Sequence, residues 1–429
     1  MKWTNYYITH RMDADKVVLY NYANDGALFL SNELFELLNK YKADIEALST
    51  VHPDFYKALV QRGFLLDDNY DEVAHVKEQV QQRFDRKSEL LLTVNPTMDC
   101  NLRCWYCYEE HTKQCYMSRE TMESIMAFVA KQMASPELKV VSLSFFGGEP
   151  LMKFNSIAWP LICDVKQLCD EKDIEFHLQF TTNGVLLSKD VVDKICSQTP
   201  HAFFQIPFDG NRELHNKVKF LSNKKGTYDI VLSNIDYMLS VGMNVTVRCN
   251  YDLDTVASFQ DLIRDVAALS HANNTHLGFS LQKIWQAPVS DELWSKVRDL
   301  SALIKQLGYG SMTAGKEILT PCYADYALSY VVNYNGDVFK CTARNFKHEG
   351  RMGTLAKDGT VIDTSNAILY QDRRYYAECD ECKMLPLCTV CVQKRIEGIK
   401  DEMCEQTSKK RKVIHDMLVD RFKLQYQYS

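Results

Sequence analysis

The sequence predicts an α/β fold: a partial (β/α)6 TIM barrel, preceded by a small winged-helix-like module and followed by a cysteine-rich domain. Three observations carry this. Between residue 89 and about residue 285, apolar strand-like runs alternate with helical patterns, as parallel strands joined by crossover helices require. Residues with chemical capacity fall just after the ends of those strands, where such barrels place their sites. Beyond Cys322 the alternation stops and cysteine spacing becomes the main signal.

Residues 1–70 read as short strands, "YYITH", "KVVLYN" and "GALFL", followed by helices "NELFELLNKY" and "PDFYKALVQR" and a closing strand "GFLLDD". Ser31 can cap the first helix, whose Leu34, Leu37 and Leu38 recur at helical spacing. The charged stretch "EVAHVKEQVQQRFDRK" makes residues 71–88 a linker helix. Residues 89–309 hold six strand-like runs, "ELLLTVN", "KVVSLSFFG", "IEFHLQFTTN", "AFFQIPFD", "MNVTVRCNY" and "THLGFSLQK", with a last helix at 290–309. Six strands suit an open barrel better than a closed one of eight. Residues 310–429 form the cysteine-rich domain.

With 46% hydrophobic residues the chain can bury a real core, and a net charge of -6 argues against a nucleic-acid partner. The start "MKWTNYYITH" is not patterned as a signal peptide, and no apolar run of about 18 residues exists to span a bilayer, so a cytoplasmic protein is expected. Fifteen cysteines in that compartment point to metal binding or catalysis rather than disulfides. Five of them, Cys115, Cys163, Cys169, Cys196 and Cys249, are scattered and read as small buried apolar residues.

The stretch "NPTMDCNLRCWYCYEEH" gathers Cys100, Cys104 and Cys107 on one loop after the first barrel strand. The spacing alone also fits a zinc knuckle, but a zinc site wants four ligands. A cluster of four irons takes four thiolates, so three would leave one iron open to a ligand that is not protein.

This spacing, with Tyr106 just before the third cysteine, resembles the radical S-adenosylmethionine (SAM) enzymes. The resemblance implies a [4Fe-4S] cluster on Cys100, Cys104 and Cys107 whose open iron chelates SAM, and reductive cleavage of SAM to a 5'-deoxyadenosyl radical that abstracts hydrogen. It also implies SAM contacts from Tyr106, from Gly147, Gly148 and Glu149 in "GGEP", and from Thr182 and Asn183 in "TTNG". The glycines would let backbone approach the methionine end of SAM and Glu149 would accept from its amino group. In "QIPFDG", Pro207 stands where the family has a serine on the ribose. Lys219 or Arg248 would neutralise the SAM carboxylate; otherwise Lys219 is solvated surface and Arg248 an internal ion pair.

Downstream, Cys322, Cys341, Cys379, Cys382, Cys388, Cys391 and Cys404 resemble the SPASM extension of radical enzymes that modify peptides and proteins, and zinc ribbons are the other reading of such CxxC pairs. The resemblance implies one auxiliary cluster on Cys379, Cys382, Cys388 and Cys404. A second would use Cys322, Cys341 and Cys391, with an open iron or a borrowed ligand such as Cys249, giving three [4Fe-4S] clusters in all.

Anaerobic sulfatase-maturating enzymes share this layout, but where they carry a basic aspartate after the cysteine matching Cys341 this chain has Thr342. A winged module ahead of a radical SAM core resembles instead the recognition elements of ribosomal-peptide (RiPP) maturases, which add a leader peptide to a sheet edge. "KVVLYN" and the following helices are the candidate groove. The expected activity is crosslinking of a leader-guided precursor peptide, first a cysteine thioether, then a carbon–carbon link, with epimerisation, sulfatase maturation and a non-catalytic iron–sulfur regulator behind. A flavodoxin- or ferredoxin-type reductant would supply electrons. The catalytic base is not legible.

Overall fold

A short pair of strands, β1 (Lys2–Trp3) and β5 (Leu65–Leu66), brackets a three-stranded antiparallel sheet of β2 (Tyr7–Arg11), β3 (Lys16–Asn21) and β4 (Gly26–Ser31), in that spatial order. Ser31 ends β4 in an extended conformation and its hydroxyl accepts from the Leu34 amide, so the chain turns directly into α1 (Asn32–Tyr41). Two more helices follow, α2 (Ile45–Val51) and α3 (Pro53–Gln61). Leu19, Leu30, Leu38, Leu48, Leu59 and Phe64 close the core between this sheet and these helices. The strand "KVVLYN" is β3, buried along nearly its whole length and hydrogen-bonded on both sides, so it offers no free edge to a peptide. Among the described residues, the edge strands of this sheet are β2 and β4.

The expected linker is helix α4 (Glu72–Phe84), and it is a packed element, because Val76, Val80 and Phe84 recur every four residues and bury one stripe. It packs on the turn Leu385–Leu387 of the cysteine-rich segment. The Tyr22 hydroxyl donates to the Lys383 carbonyl, and Lys77 pairs with Asp380.

The computed structural model describes residues 1–288, 290–312, 322–371, 375, 377–388 and 390–398. Packing divides the chain into two units built from non-contiguous segments. One joins residues 1–85 to Cys322 and the described residues beyond 373; the other joins residues 86–312 to residues 323–371.

In the second unit the six expected strands are β6 (Glu89–Val94), β7 (Val140–Phe145), β8 (Glu175–Thr181), β9 (Phe203–Phe208), β10 (Asn244–Tyr251) and β11 (Leu277–Lys283), parallel and in sequence order. Crossover helices join them: α5 (Arg119–Gln132), α6 (Trp159–Glu171), α7 (Lys189–Gln198), α8 (Arg212–Val218) with α9 (Tyr228–Ser240), and α10 (Phe259–Ala267). The expected last helix is α11 (Asp291–Gln306). The sheet extends beyond the expectation on both sides. β12 (Gly310–Met312) pairs with β11, and β13 (Ser329–Val332) pairs in parallel with β6, followed by β14 (Asp337–Phe339), β15 (Gly353–Leu355) and β16 (Val361–Asp363). Residues 323–371 therefore continue the barrel sheet, whereas the sequence placed them in a separate domain from residue 310.

Period-two alternation gives the sheet two unlike faces. Val94, Phe145, Phe180, Phe204 and Val247 belong to the core packed beneath the helices, with Phe145, Phe180 and Phe204 stacked across three strands at 5.0 and 5.2 Å. Cys249, fully buried, belongs to that core, while its neighbours Arg248 and Asn250 line a cavity on the other face. That parity corrects Cys249 as a ligand to be borrowed by a cluster.

Candidate active site

The ends of the barrel strands surround one cavity, and Cys100, Cys104 and Cys107 all line it. The loop that carries them is held down by backbone bonds: the Gly148 and Glu149 amides donate to the carbonyls of Thr97 and Asp99 at 3.1 and 2.8 Å. A Cβ on Gly148 would lie 2.2 Å from the Asp99 carbonyl oxygen, and Gly147 combines a φ of +100° with a Cβ position 2.6 Å from the Thr97 oxygen. Glycine is thus required by the approach of the cysteine loop itself, a reason the sequence had not supplied. Both glycines also line the cavity.

Burial raises all three thiols, to about 12 for Cys100 and about 11 for Cys107. Among the described residues no three metal-ligating side chains form a site for a single ion. The three thiols line one cavity together with Gly147, Gly148 and Asn183.

Glu149 differs from the sequence expectation. It is fully buried and its carboxylate is engaged internally, accepting from the Leu151 amide and the Thr182 hydroxyl on Oε1 and from the Asn183 amide on Oε2. Desolvation raises its pKa to about 7 against those three bonds. It braces the "TTNG" turn rather than facing a ligand. Thr182 and Asn183 do line the cavity, and the Asn183 side-chain amide approaches Cys100 Sγ at 3.9 Å.

Lys219 lies at the cavity wall, 2% exposed, so it is not solvated surface. Its ammonium pairs with Asp209 and donates to the Tyr106 hydroxyl at 3.0 Å, and Tyr106 in turn donates to Asp209. Burial alone would lower the lysine pKa, but the charge of Asp209 holds it above its ordinary value. Arg248 and Lys283 line the same cavity, and the Arg248 Nε donates to the Asn250 side-chain oxygen at 2.9 Å.

Sequence reasoning missed several wall residues. Glu109 is 8% exposed, its Oε2 has no hydrogen-bond partner, and desolvation lifts its pKa to about 8. Its signal was the "YEE" that follows the third cysteine. Asn250 donates to the Tyr106 hydroxyl at 3.2 Å and shares the strand parity of Arg248. Tyr108 and Trp285 form an aromatic pair at 6.4 Å beside the opening, with Arg344 over the Trp285 ring at 5.3 Å. Thr342 accepts from the Tyr108 hydroxyl through its carbonyl at 2.9 Å and bonds Tyr323 through its own hydroxyl at 2.6 Å.

Of the second cysteine group, Cys379, Cys382 and Cys388 lie in the N-terminal unit with Cys322 and Cys391, Cys341 lies in the barrel unit, and Cys404 falls outside the described residues. No described helix is long and apolar enough to cross a membrane.

Parallel strands whose C-terminal ends converge on a three-cysteine loop define the barrel of a cofactor-dependent α/β enzyme. Residues 94–266 match the radical SAM superfamily, which uses SAM and a [4Fe-4S] cluster, so the chain contains a radical SAM domain. It is 22% identical over 304 residues to the radical SAM cyclopropyl synthase TigE of Paramaledivibacter caminithermalis, covering 60% of this chain and 63% of TigE. It is 26% identical over 152 residues to a cysteine-type anaerobic sulfatase-maturating enzyme of Clostridium novyi, covering 35% and 40%. The matched region thus spans less than two thirds of either relative. The fold is shared with native anSMEcpe with bound AdoMet and Cp18Cys peptide, at a TM-score of 0.60 and 16% identity over 79% of this chain and 99% of that one. Streptococcus suis SuiB bound to precursor peptide SuiA matches at a TM-score of 0.51 and 14% identity, over 90% and 94%.

Proposed function

We propose that the chain is a peptide maturase of the SPASM type that crosslinks a leader-guided precursor peptide, forming a thioether from a cysteine sulfur to a carbon. The observation that carries this is the convergence of Cys100, Cys104 and Cys107 with Gly147, Gly148, Asn183 and Arg248 on one cavity. The donor set fits a four-iron cluster with one open metal, and Gly147 and Gly148 line the same cavity, where their backbone would border the amino-acid end of SAM. Cys100, Cys104 and Cys107 would hold the cluster, which with SAM would supply hydrogen abstraction through reductive cleavage of the SAM sulfonium.

The protein's own groups orient that chemistry. Tyr106, fixed by Lys219, Asp209 and Asn250, forms one wall. Arg248, on the cavity wall, would neutralise the SAM carboxylate, and Thr182, held by Glu149, keeps Asn183 at the rim beside Cys100. The aromatic mouth at Tyr108 and Trp285 receives the peptide. A peptide substrate has support from the precursor peptide and the Cp18Cys peptide bound to the two structural neighbours. Thr342 has no carboxylate to act as a base, which disfavours formylglycine formation. Cys379, Cys382 and Cys388, with Cys404, hold an auxiliary cluster, and a flavodoxin- or ferredoxin-type protein delivers electrons.

Carbon–carbon bond formation is the second reading, favoured by similarity to a protein named as a cyclopropyl synthase. Anaerobic reconstitution followed by assay of 5'-deoxyadenosine release tests the core of both. Wild type should release it on reduction, and Cys104→Ala should lose about four irons and all cleavage; cleavage surviving in Cys104→Ala would overturn the assignment. Alkylation of the product peptide separates the two bonds, since a thioether consumes a cysteine thiol.

A further inference from the structure

The cysteine segment of the N-terminal unit contains a buried cation that none of the preceding steps uses. Arg395 lies on the short helix Val392–Ile396 and is 5% exposed. Cys391 caps that helix, and the Arg395 amide donates to the Cys391 carbonyl at 3.2 Å, one turn back. Helical side chains lean toward the N-terminus, and here that direction leads to the cysteines. One terminal nitrogen lies 3.3 Å from Cys388 Sγ and another 3.7 Å from Cys379 Sγ. Nε donates to the Val390 carbonyl at 3.2 Å, and the Tyr375 ring lies 5.3 Å from the guanidinium centre.

We propose that Arg395 is a positioning residue that donates to two thiolates of the auxiliary cluster at once and raises the reduction potential of that cluster. This rests on the reading that Cys379, Cys382 and Cys388 hold iron. A guanidinium cannot lose its proton in a protein, and its planar fork reaches two acceptors that a lysine ammonium would have to choose between. A buried charge is costly unless paired, and thiolates of an anionic cluster provide the pairing. Hydrogen bonds to cluster sulfurs and net local charge are the groups by which a protein sets cluster potentials. Adding an electron increases the negative charge beside the guanidinium, so the reduced form gains more from Arg395 than the oxidised form does.

The test uses the full-length chain carrying Cys100→Ala, Cys104→Ala and Cys107→Ala, so that the first loop contributes no cluster, with Arg395→Gln and Arg395→Lys added separately. Iron is counted after anaerobic reconstitution, and the auxiliary signal is followed by EPR through a redox titration. At the midpoint potential of the parent, the reduced-to-oxidised ratio should fall about tenfold in Arg395→Gln, equal to about 59 mV for one electron, and by less in Arg395→Lys. An unchanged midpoint in Arg395→Gln overturns the proposal. If Arg395→Gln does not assemble, an unchanged midpoint in Arg395→Lys overturns it instead. A parent without auxiliary iron would refute the cluster reading itself, a result distinct from either.

Discussion

The ammonium of Lys219 is ion-paired with the carboxylate of Asp209, with side chains 2% and 4% exposed, and the Tyr106 hydroxyl bridges the two. Removing one member leaves a buried charge uncompensated, at a cost of about 3–5 kcal/mol. Asp209→Ala should lower unfolding stability by that amount, while Asp209→Ala combined with Lys219→Met should lose less than the sum of the single changes. Urea unfolding of the four proteins in a double-mutant cycle measures the coupling; additive losses would mean that the pair contributes no mutual stabilisation.

Glu149 makes stability depend on pH in a defined direction. Its folded pKa, about 7, lies above the ordinary 4.5, so between those values the native state holds a proton that the unfolded chain has released. Its contribution is complete below pH 4.5 and is lost as pH rises toward 7, by at most about 3 kcal/mol, from 1.36 kcal/mol per pKa unit. Glu149→Gln should flatten this part of the profile. Denaturant midpoints at half-unit intervals from pH 5 to 8 give the comparison, and parallel curves for the two proteins would refute it.

The barrel was legible because β6 to β11 are long, apolar and separated by helices of clear period. β12 was not, because Gly310–Met312 is too short to show alternation. β13 to β16 were hidden for a similar reason: strands of three or four residues carry almost no periodic signal. The cysteine loop was readable because its chemistry lies in local spacing. The engagement of Glu149 by Thr182 and Asn183, 33 and 34 residues away, is set by tertiary approach. So is the pairing of Lys219 with Asp209, although the two lie only ten positions apart in the sequence. Packing of Asp380, Lys383 and Leu385–Leu387 with Tyr22 and the helix Glu72–Phe84 has no local signature at all.

Strand parity predicts how two cysteines differ. Cys249 belongs to the apolar core under the helices and Cys104 lines the cavity. Cys249→Ala should cost about 1 kcal/mol of stability, as expected for a small core truncation, and retain every iron and full SAM cleavage. Cys104→Ala should lose cluster iron. Iron and sulfide counts with thermal melts of both variants decide it; loss of iron from Cys249→Ala would restore that residue as a ligand.

The N-terminal sheet predicts where a leader docks. β3 is closed on both sides, so an added strand must take β2 or β4, the edge strands among the described residues, and β4 carries Phe29, 47% exposed. An extended peptide on β4 would gain main-chain hydrogen bonds and cover that ring. Phe29→Asp should weaken leader binding at least about tenfold, or 1.4 kcal/mol, and leave SAM cleavage without peptide unchanged, since residues 1–85 and the barrel cavity belong to different units. Fluorescence anisotropy with a labelled leader peptide measures the first effect and 5'-deoxyadenosine release the second. The matching substitution Thr9→Asp on β2 should have little effect, and a larger loss there than at Phe29 would move the docking edge to β2.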